Sequence, residues 1–269
     1  MNATGQRLAA VQLDGMKAID REFGPLSIAI AAVVMRHATP DPHGILRLTL
    51  PARAPILAEV GRLLDETRGN LLPVILASVQ AARDAAQEGV EPVPVPITEQ
   101  MDEMLTVSRA LGTDRETVLG QTSALLLAGI AGKMAASVVA SRVRQYFSPW
   151  FSQYRDVNGT VLHVDRVGAI AQWPGRSGMA SAHSRTVMLT ETTRAHSLTM
   201  LRLAARDDLL IRYTLSPKHR EADTCSDNAR RDSGWGAGIY RADDAPRVPV
   251  HVKCRCYYSP AGSIHDRAA

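Results

Sequence analysis

The stretch "VPVHVKCRCYYSP", residues 248–260, decides how the C-terminal part of the chain folds. It holds two of the three cysteines, Cys254 and Cys256, and His251 lies three positions before the first of them. The remaining cysteine, Cys225, lies upstream, before a glycine-rich segment. Thiolate and imidazole are the preferred ligands of tetrahedral zinc. The pattern therefore predicts a structural zinc site of the Cys3His type, formed by Cys225, His251, Cys254 and Cys256.

Other interpretations of these residues stay open at the level of the sequence. His219 and Asp223 are spare candidates for metal ligands, because both lie within six positions of Cys225. Alternatively, the three cysteines are buried, inert thiols that pack as small apolar side chains. A third interpretation is a disulfide from Cys225 to Cys254 or Cys256 that forms after release from the cell.

A catalytic cysteine is disfavoured by the expected backbone. If residues 251–256 form a strand, His251 and Cys254 point to opposite faces of it, and Cys256 also points away from His251. A thiol nucleophile needs its base within hydrogen-bonding distance. We therefore expect no cysteine–histidine catalytic pair here.

The composition favours a helical body. Of the 269 residues, 45% are hydrophobic and 22% are charged, which is an ordinary globular balance. Only 4% are aromatic, so alanine, leucine and valine must fill the core, and these residues suit close-packed helices. We predict a mainly α protein with a helical N-terminal body and a small α+β C-terminal module that is rich in loops and stapled by cysteine and histidine.

Basic residues number 31 and acidic residues 27, and their distribution along the chain is uneven. Residues 1–140 carry a net charge of −3, and residues 141–269 carry +7. Most of the basic residues are arginines, whose planar forks bind phosphates and carboxylates. A basic half is compatible with DNA as a partner. No run of basic residues is dense enough to specify DNA, and a solvated surface of mixed charge is the simpler interpretation.

The expected compartment is a reducing cytoplasm at synthesis. The first residues lack a basic segment followed by an apolar one, and an odd number of cysteines argues against a disulfide framework. The apolar run at 123–140 contains Lys133 and many small residues. It therefore predicts a buried or oligomeric helix and not a membrane span.

We predict four regions along the chain. They are a helical N-terminal domain at 1–90, a proline-rich linker at 91–97, a long-helix region at 98–149 and a C-terminal module at 150–269. Alternating prolines force the linker into an extended backbone.

Glycine, proline and capping signals predict breaks within the helical regions. A separate, short apolar element is expected at residues 25–40, and a break between two helices at Gly69–Asn70. A helix beginning at Thr98 is followed by a second, long one that runs to Phe147. Thr113 with Glu116 has the spacing of a capping box for this second helix.

The C-terminal module is predicted to mix short elements. Asn158–Gly159 has the signature of a hairpin turn. Residues 184–206 are helical in pattern, and "LLIRYTLSP", residues 209–217, predicts a strand.

The order of these elements resembles a known family. A helix with Arg185, Thr190, Glu191 and Arg194 is followed by a strand, then Asp223 and Cys225, a glycine-rich turn and "PVHVKCRC", residues 249–256. This order resembles the phage head-morphogenesis family, the Mu F-like minor head proteins of tailed bacteriophages, over residues 184–258. Val252 and Lys253 stand where that family usually has Pro-Asn. Tyr213 stands where a tryptophan is often found.

The resemblance implies a minor capsid protein, present in several copies at the portal or the inner capsid wall. Its expected partners are the portal protein or the major capsid protein, and packaged DNA, with no membrane. Its expected location is the virion, after assembly in the host cytoplasm. It would act in head assembly or in packaging and delivery of DNA, without catalysis.

Two alternatives belong to other functional classes. One is a DNA-binding, packaging-associated protein that uses the arginine-rich half. The other is a phage-delivered effector enzyme, because modules of this family also occur joined to toxin domains such as ADP-ribosyltransferases. No phosphate-binding loop, dinucleotide fingerprint, zinc-protease motif or nucleophile elbow is present. Glu191, with Arg185 and His196 nearby, could act as a base, but we expect a solvated or capping glutamate.

Overall fold

A computed structural model describes residues 2–147 and 179–265, except Lys218, Arg220, Glu221, Val252 and Lys253. The predicted hairpin at Asn158–Gly159 lies outside this part. The helices in it are α1 (Ala3–Arg36), α2 (Arg53–Ala86), α3 (Ile97–Ala131), α4 (Ala136–Phe147), α5 (Met179–Arg206) and α6 (Thr224–Arg230). The strands are β1 (Thr39–Pro40), β2 (Leu46–Arg47), β3 (Leu209–Thr214), β4 (Ile239–Tyr240) and β5 (Tyr257–Ser263). Two short 3-10 helices span Leu50–Ala52 and Ala242–Asp244.

The predicted fold class is confirmed, because long helices form most of the described chain and a small sheet lies near its C-terminal end. Residues 91–96 belong to no helix or strand, and α3 begins directly after them at Ile97. Within the described residues, no helix combines the length and apolar character that a membrane crossing needs.

Contacts divide the chain into two compact units that are each discontinuous in sequence. Unit 1 contains Met1–Met16, Ile75–Val107 and Thr186–Ala269, and unit 2 contains Lys17–Val74 and Ser108–Arg185. Helices α1, α2, α3 and α5 each contribute residues to both units. The four-region division drawn from the sequence stays a prediction.

Helices α1 and α2 continue through the predicted breaks, so these two predictions are wrong. Pro25 lies inside α1, and Gly69, Asn70 and Pro73 lie inside α2. Proline and glycine weaken a helix locally, but burial of an apolar face outweighs a cost of about 1–3 kcal/mol. Apolar side chains on both sides of these positions are buried, among them Leu26, Ile30, Leu71 and Ile75.

The predicted long helix ends at Phe147, as α4 does, but its start and its continuity are wrong. Thr113 lies within α3, where its hydroxyl donates to the Arg109 carbonyl at 3.3 Å, so the capping box does not form. The actual break follows Ala131. Lys133 adopts a left-handed φ of 49°, its N–H donates to the Ile130 carbonyl, and the Met134 N–H donates to the Gly129 carbonyl. This is a Schellman C-cap, which ends α3 before α4 begins.

Unit 2 is joined by side-chain contacts between its helices. Arg115 of α3 binds Asp65 of α2 through two nitrogens, at 2.6 and 3.0 Å. Arg53 donates to the Ser123 hydroxyl. Strands β1 and β2 form a small antiparallel hairpin in the same unit.

Unit 1 contains the C-terminal sheet, with strand order β4-β3-β5 and antiparallel pairing throughout. In the central strand, Ile211 and Tyr213 point into the core and Arg212 is exposed, as the two-residue period of a strand requires. The core of this region includes side chains from α5, all three strands and the three cysteines.

Many polar side chains on α5 are buried because the helix satisfies them itself. The hydroxyls of Thr192, Thr193 and Thr199 each donate to a carbonyl four residues earlier, at 2.8–2.9 Å. The Gln12 amide of α1 also donates to the Thr193 hydroxyl at 3.0 Å. Threonine therefore packs inside unit 1 without leaving a buried donor unpaired.

Candidate metal centre

The short helix α6 fixes the position of Cys225. The Asp223 carboxylate accepts hydrogen bonds from the N–H groups of Cys225 at 2.8 Å and Ser226 at 3.3 Å, which makes it the N-cap. Cys225 therefore lies in the first helical turn, and it is fully buried in the core of unit 1. The proposed ligand is held by regular structure and not by a free loop.

The loop before β5 brings the other sequence-predicted ligands to Cys225. The Cys254 N–H donates to the His251 carbonyl at 3.1 Å, so the chain turns here. Strand β5 begins only at Tyr257. The premise that His251 and Cys254 lie on one regular strand therefore does not hold, and both residues lie beside the Cys225 thiol.

The distances in this group match the edges of a tetrahedral metal site. The Cys225 sulfur lies 3.6 Å from the Cys254 sulfur and 3.4 Å from His251 Nε2. Zinc bonds of ordinary length at tetrahedral angles give S–S edges of about 3.8 Å and S–N edges of about 3.6 Å. All three cysteines are free thiols. These residues can therefore hold a metal ion without a large rearrangement.

Cys256 belongs to a second group around the same thiol. The donor atoms of His219, Cys225 and Cys256 all lie within 4.8 Å of one another, as do those of Cys225, His251 and Cys254. The structure thus brings all four predicted ligands to one place, in two groups of three that share Cys225. His219, the spare candidate, completes the second group.

Asp223, the other spare candidate, lies between the two histidines. Its Oδ1 is 3.4 Å from His219 Nε2, and its Oδ2 is 3.3 Å from His251 Nε2. Partial burial opposes its ionisation, but the N–H groups of Ser226 and Cys225, together with the two imidazoles, hold the pKa of Asp223 below its usual value. The cluster therefore contains a carboxylate anion at neutral pH.

The thiols differ in their tendency to ionise. A hydrogen bond from Cys256 lowers the pKa of Cys254 to about 5, and the N–H groups of Val250 and Cys256 assist. Burial raises the pKa of Cys225 to about 11. The hydrogen bond to Cys254, followed by burial, raises the pKa of Cys256. One thiolate is thus available at neutral pH, and binding of a metal would release the remaining protons.

The thiol side of the cluster is closed to water. Cys225, Cys254 and Cys256 are at most 2% exposed, and the Tyr213 hydroxyl is buried beside the Cys225 sulfur. The side chain of His219 is 11% exposed and that of His251 is 45% exposed. Solvent therefore reaches the cluster from the histidine side.

Sequence reasoning missed the supporting residues of this cluster. Ser226 holds His219 through a contact of 2.9 Å between its hydroxyl and Nε2, and Tyr213 covers Cys225 from the central strand. Neither serine nor tyrosine is among the usual zinc ligands, so ligand spacing did not indicate them. The capping role of Asp223 could have been predicted from the sequence, because an aspartate directly precedes the polar helix "TCSDNAR".

The residues considered for acid–base catalysis are buried and lie outside the cysteine–histidine cluster. Glu191 is buried, with Arg194 Nη1 3.3 Å from its Oε2, so the expectation of a solvated glutamate is wrong. Burial raises the pKa of Glu191. Arg185 Nη1 lies 3.9 Å from Asp20 Oδ1 inside unit 2. His196 is buried in unit 1, and its ring packs edge-on against Tyr257.

None of the protein-family models, curated proteins or solved structures compared with the chain matches it. Conclusions about function therefore rest on the described residues and on the sequence resemblance.

Proposed function

We propose that a structural zinc ion holds the C-terminal part of unit 1 together, with Cys225, His251, Cys254 and Cys256 as its ligands. The observation that carries this proposal is the convergence of three buried free thiols and histidine nitrogens around Cys225, at distances that match tetrahedral edges. Thiolate and imidazole donors select zinc among the common structural metals.

The local fold gives a physical reason for a metal. Strand β4 has two residues, α6 has seven, and the segments between them are loops. Such short elements bury little apolar surface, and small folds of this kind commonly require a metal or a disulfide. A zinc ion would join α6 to the segment before β5, and so tie the loops to the sheet. The role proposed for the metal is stability, not chemistry on a substrate.

Metal removal tests the zinc proposal. We expect at least one zinc ion per chain in purified protein, and a lower melting temperature after chelation. A ligand present at 1,000 times its Kd contributes about 4 kcal/mol. For a chain of this size, that corresponds to about 8–16 °C.

Cys254→Ser should lower the melting temperature by a similar amount and make it insensitive to chelator. His265→Gln, a change at an exposed histidine outside the cluster, is the matched control and should melt like the wild type. Unchanged melting of the wild type after complete chelation would contradict the proposal.

We further propose that the chain is a minor capsid protein of a tailed bacteriophage, located at the portal or the inner capsid wall. The support is the order of the motif residues along the sequence and their clustering. Glu191, Asp223, Cys225 and the "PVHVKCRC" segment, which carry much of the resemblance, all fall within unit 1. The proposed partners are the portal protein or the major capsid protein, and packaged DNA, with a role in head assembly or DNA delivery.

Quantitative mass spectrometry of purified, DNA-filled particles tests this role. We expect a few copies per particle, in a fixed ratio to the portal protein. Absence of the chain from particles would contradict a capsid role and favour the effector or DNA-processing alternatives. This result is independent of the metal content of the protein.

A further inference from the structure

We propose that Cys225 and Cys254 form a disulfide once the protein has left the reducing cytoplasm, and that this bond then links α6 to the segment before β5 in place of the zinc ion. The inference rests on the proposed zinc site and on the proposed capsid role, which carries the protein out of the cell. Cys256 takes no part in the bond and stays a thiol.

The distance between the two sulfur atoms selects this pair. The Cys225 and Cys254 sulfurs lie 3.6 Å apart, close to the separation of about 3–3.5 Å at which bound groups react. Cys225 is held in the first turn of α6, and Cys254 lies in the turn that follows His251. The pair is therefore in sulfur-to-sulfur contact before any oxidation.

Cys256 has different surroundings. It shares its ligand group with Cys225 and His219, whereas Cys254 shares one with Cys225 and His251. The Cys256 sulfur also accepts a hydrogen bond from the backbone N–H of Ser216, just after β3. These contacts tie Cys256 to the end of the central strand and leave Cys254 as the partner of Cys225.

The exposed histidine gives an oxidant access to the pair. The cysteine side chains are buried, but that of His251 is 45% exposed, and its Nε2 lies 3.4 Å from the Cys225 sulfur. Displacement of this one side chain opens a route from solvent to the sulfur. The route suits a small oxidant, and the one that we name is hydrogen peroxide.

The reaction balances with peroxide as the oxidant. One thiolate of the pair attacks a peroxide oxygen and becomes a sulfenic acid, and the hydroxide that leaves takes a proton to form water. The second thiolate attacks the sulfenic sulfur, the S–S bond forms, and hydroxide leaves again as water. Two thiolates, one peroxide and two protons thus give one disulfide and two waters. The zinc ion loses two of its four proposed ligands and is released, and the Cys256 thiolate takes up a third proton.

The bond would take over the role proposed for the metal. Cys225 and Cys254 belong to the same two segments that the zinc ion would join. Disulfides rarely persist in a reducing cytoplasm, and they are stable outside the cell. A bound ion is lost where free metal is scarce, whereas a covalent bond is not. The same cluster would therefore stabilise unit 1 during assembly and afterwards in the released particle.

Peptide mapping of the oxidised full chain tests the pairing. The zinc-loaded protein is freed of excess metal, treated with a small excess of hydrogen peroxide, blocked at its remaining thiols and digested with trypsin. Cleavage after arginine and lysine places the three cysteines in separate peptides, 221–230, 254–255 and 256–267. We expect 221–230 linked to 254–255, and the blocking group on Cys256. A chromogenic chelator should register about one zinc ion released per disulfide.

Thermal unfolding tests the stabilising role. Oxidised protein is freed of metal and melted with and without a reductant. Because the bond closes a loop between residues 29 positions apart, the oxidised form should melt about 7–14 °C higher than the reduced form. Cys256→Ser, which keeps the pair, should show the same gain, and Cys254→Ser should show none. If Cys254→Ser does not fold, the peptide map of the wild type decides alone.

The outcomes separate this inference from the zinc proposal. A Cys225–Cys254 link with free Cys256 supports the inference, whether or not the protein contained zinc, and absence of zinc overturns only the zinc proposal. A link through Cys256, a link between two chains, or oxidation beyond sulfenic acid without any link overturns the inference. Bound zinc with no link after peroxide treatment also overturns it, and leaves the structural zinc in place.

Discussion

His196 should make the protein lose stability as the pH falls from 6.5 to 4. Its side chain is fully buried in unit 1, and neither ring nitrogen has a hydrogen-bond partner within the described part of the chain. Burial, together with the charge of Arg7, lowers the pKa of His196 to about 4. In the unfolded chain the imidazole should return to a pKa of about 6.5.

The magnitude follows from these two values. Between pH 6.5 and pH 4 the unfolded state binds a proton that the folded state does not, so protons favour unfolding in this range. At pH 4 the loss amounts to about 3 kcal/mol relative to neutral pH, and it changes little below the folded pKa. This is a large share of the typical stability of a domain.

The assay is urea unfolding of the wild type and of His196→Leu at half-unit steps from pH 7.5 to pH 4. Other ionisable groups of the protein also respond to pH, so the difference between the two proteins isolates His196. We expect that difference to change by about 3 kcal/mol, with the wild type weaker in acid. His265→Leu, at an exposed histidine, should parallel the wild type. A difference that stays constant with pH, or a ring signal that titrates near pH 6.5 by NMR, would refute the reasoning.

Four substitutions test packing and charge in the helices. Arg83→Met should cost about 3–5 kcal/mol in urea unfolding, because it removes the buried cation 2.7 Å from the largely buried Glu103 carboxylate. Adding Glu103→Met should recover much of the loss. Gly129→Ala should cost about 1–3 kcal/mol, since its Cβ would lie 2.4 Å from Val139. Gly120→Ala, in the same helix with open space around it, should instead stabilise by about 0.5–1 kcal/mol in thermal unfolding. Equal effects of the two alanines would contradict the packing argument.

The sequence predicts the class of fold and the composition of the site better than the boundaries of the helices. Periodic apolar residues indicate helices over most of α1–α5, but Pro25 and Gly69 indicate breaks that packing overrides. Asn70, for example, donates from inside α2 to Glu22 of α1 at 3.0 Å. A local signal cannot report such a contact.

The break after Ala131 is the opposite case, because the structure has a helix end there that the sequence did not predict. It depends on Lys133 in a left-handed conformation, which lysine seldom adopts, so the sequence gives little sign of it. The ligand residues were predictable because their chemistry is specific and their spacing is short. Their division into two groups around Cys225 was not, since it depends on how α6 and the loop before β5 meet in space.

Unit 1 is built from segments that are far apart in the sequence, and this affects when it can fold during synthesis. Leu8, near the start of the chain, packs with Ala82 and with Tyr257 in one apolar group, and the Tyr257 hydroxyl donates to Asn2 at 3.1 Å. A ribosome exposes Leu8 long before it adds Tyr257. The unit cannot close during translation, and its contacts between distant parts of the sequence favour slow folding. Chains cut short before β5 would leave the first helix without its final partner, which makes them natural targets for chaperones and proteases.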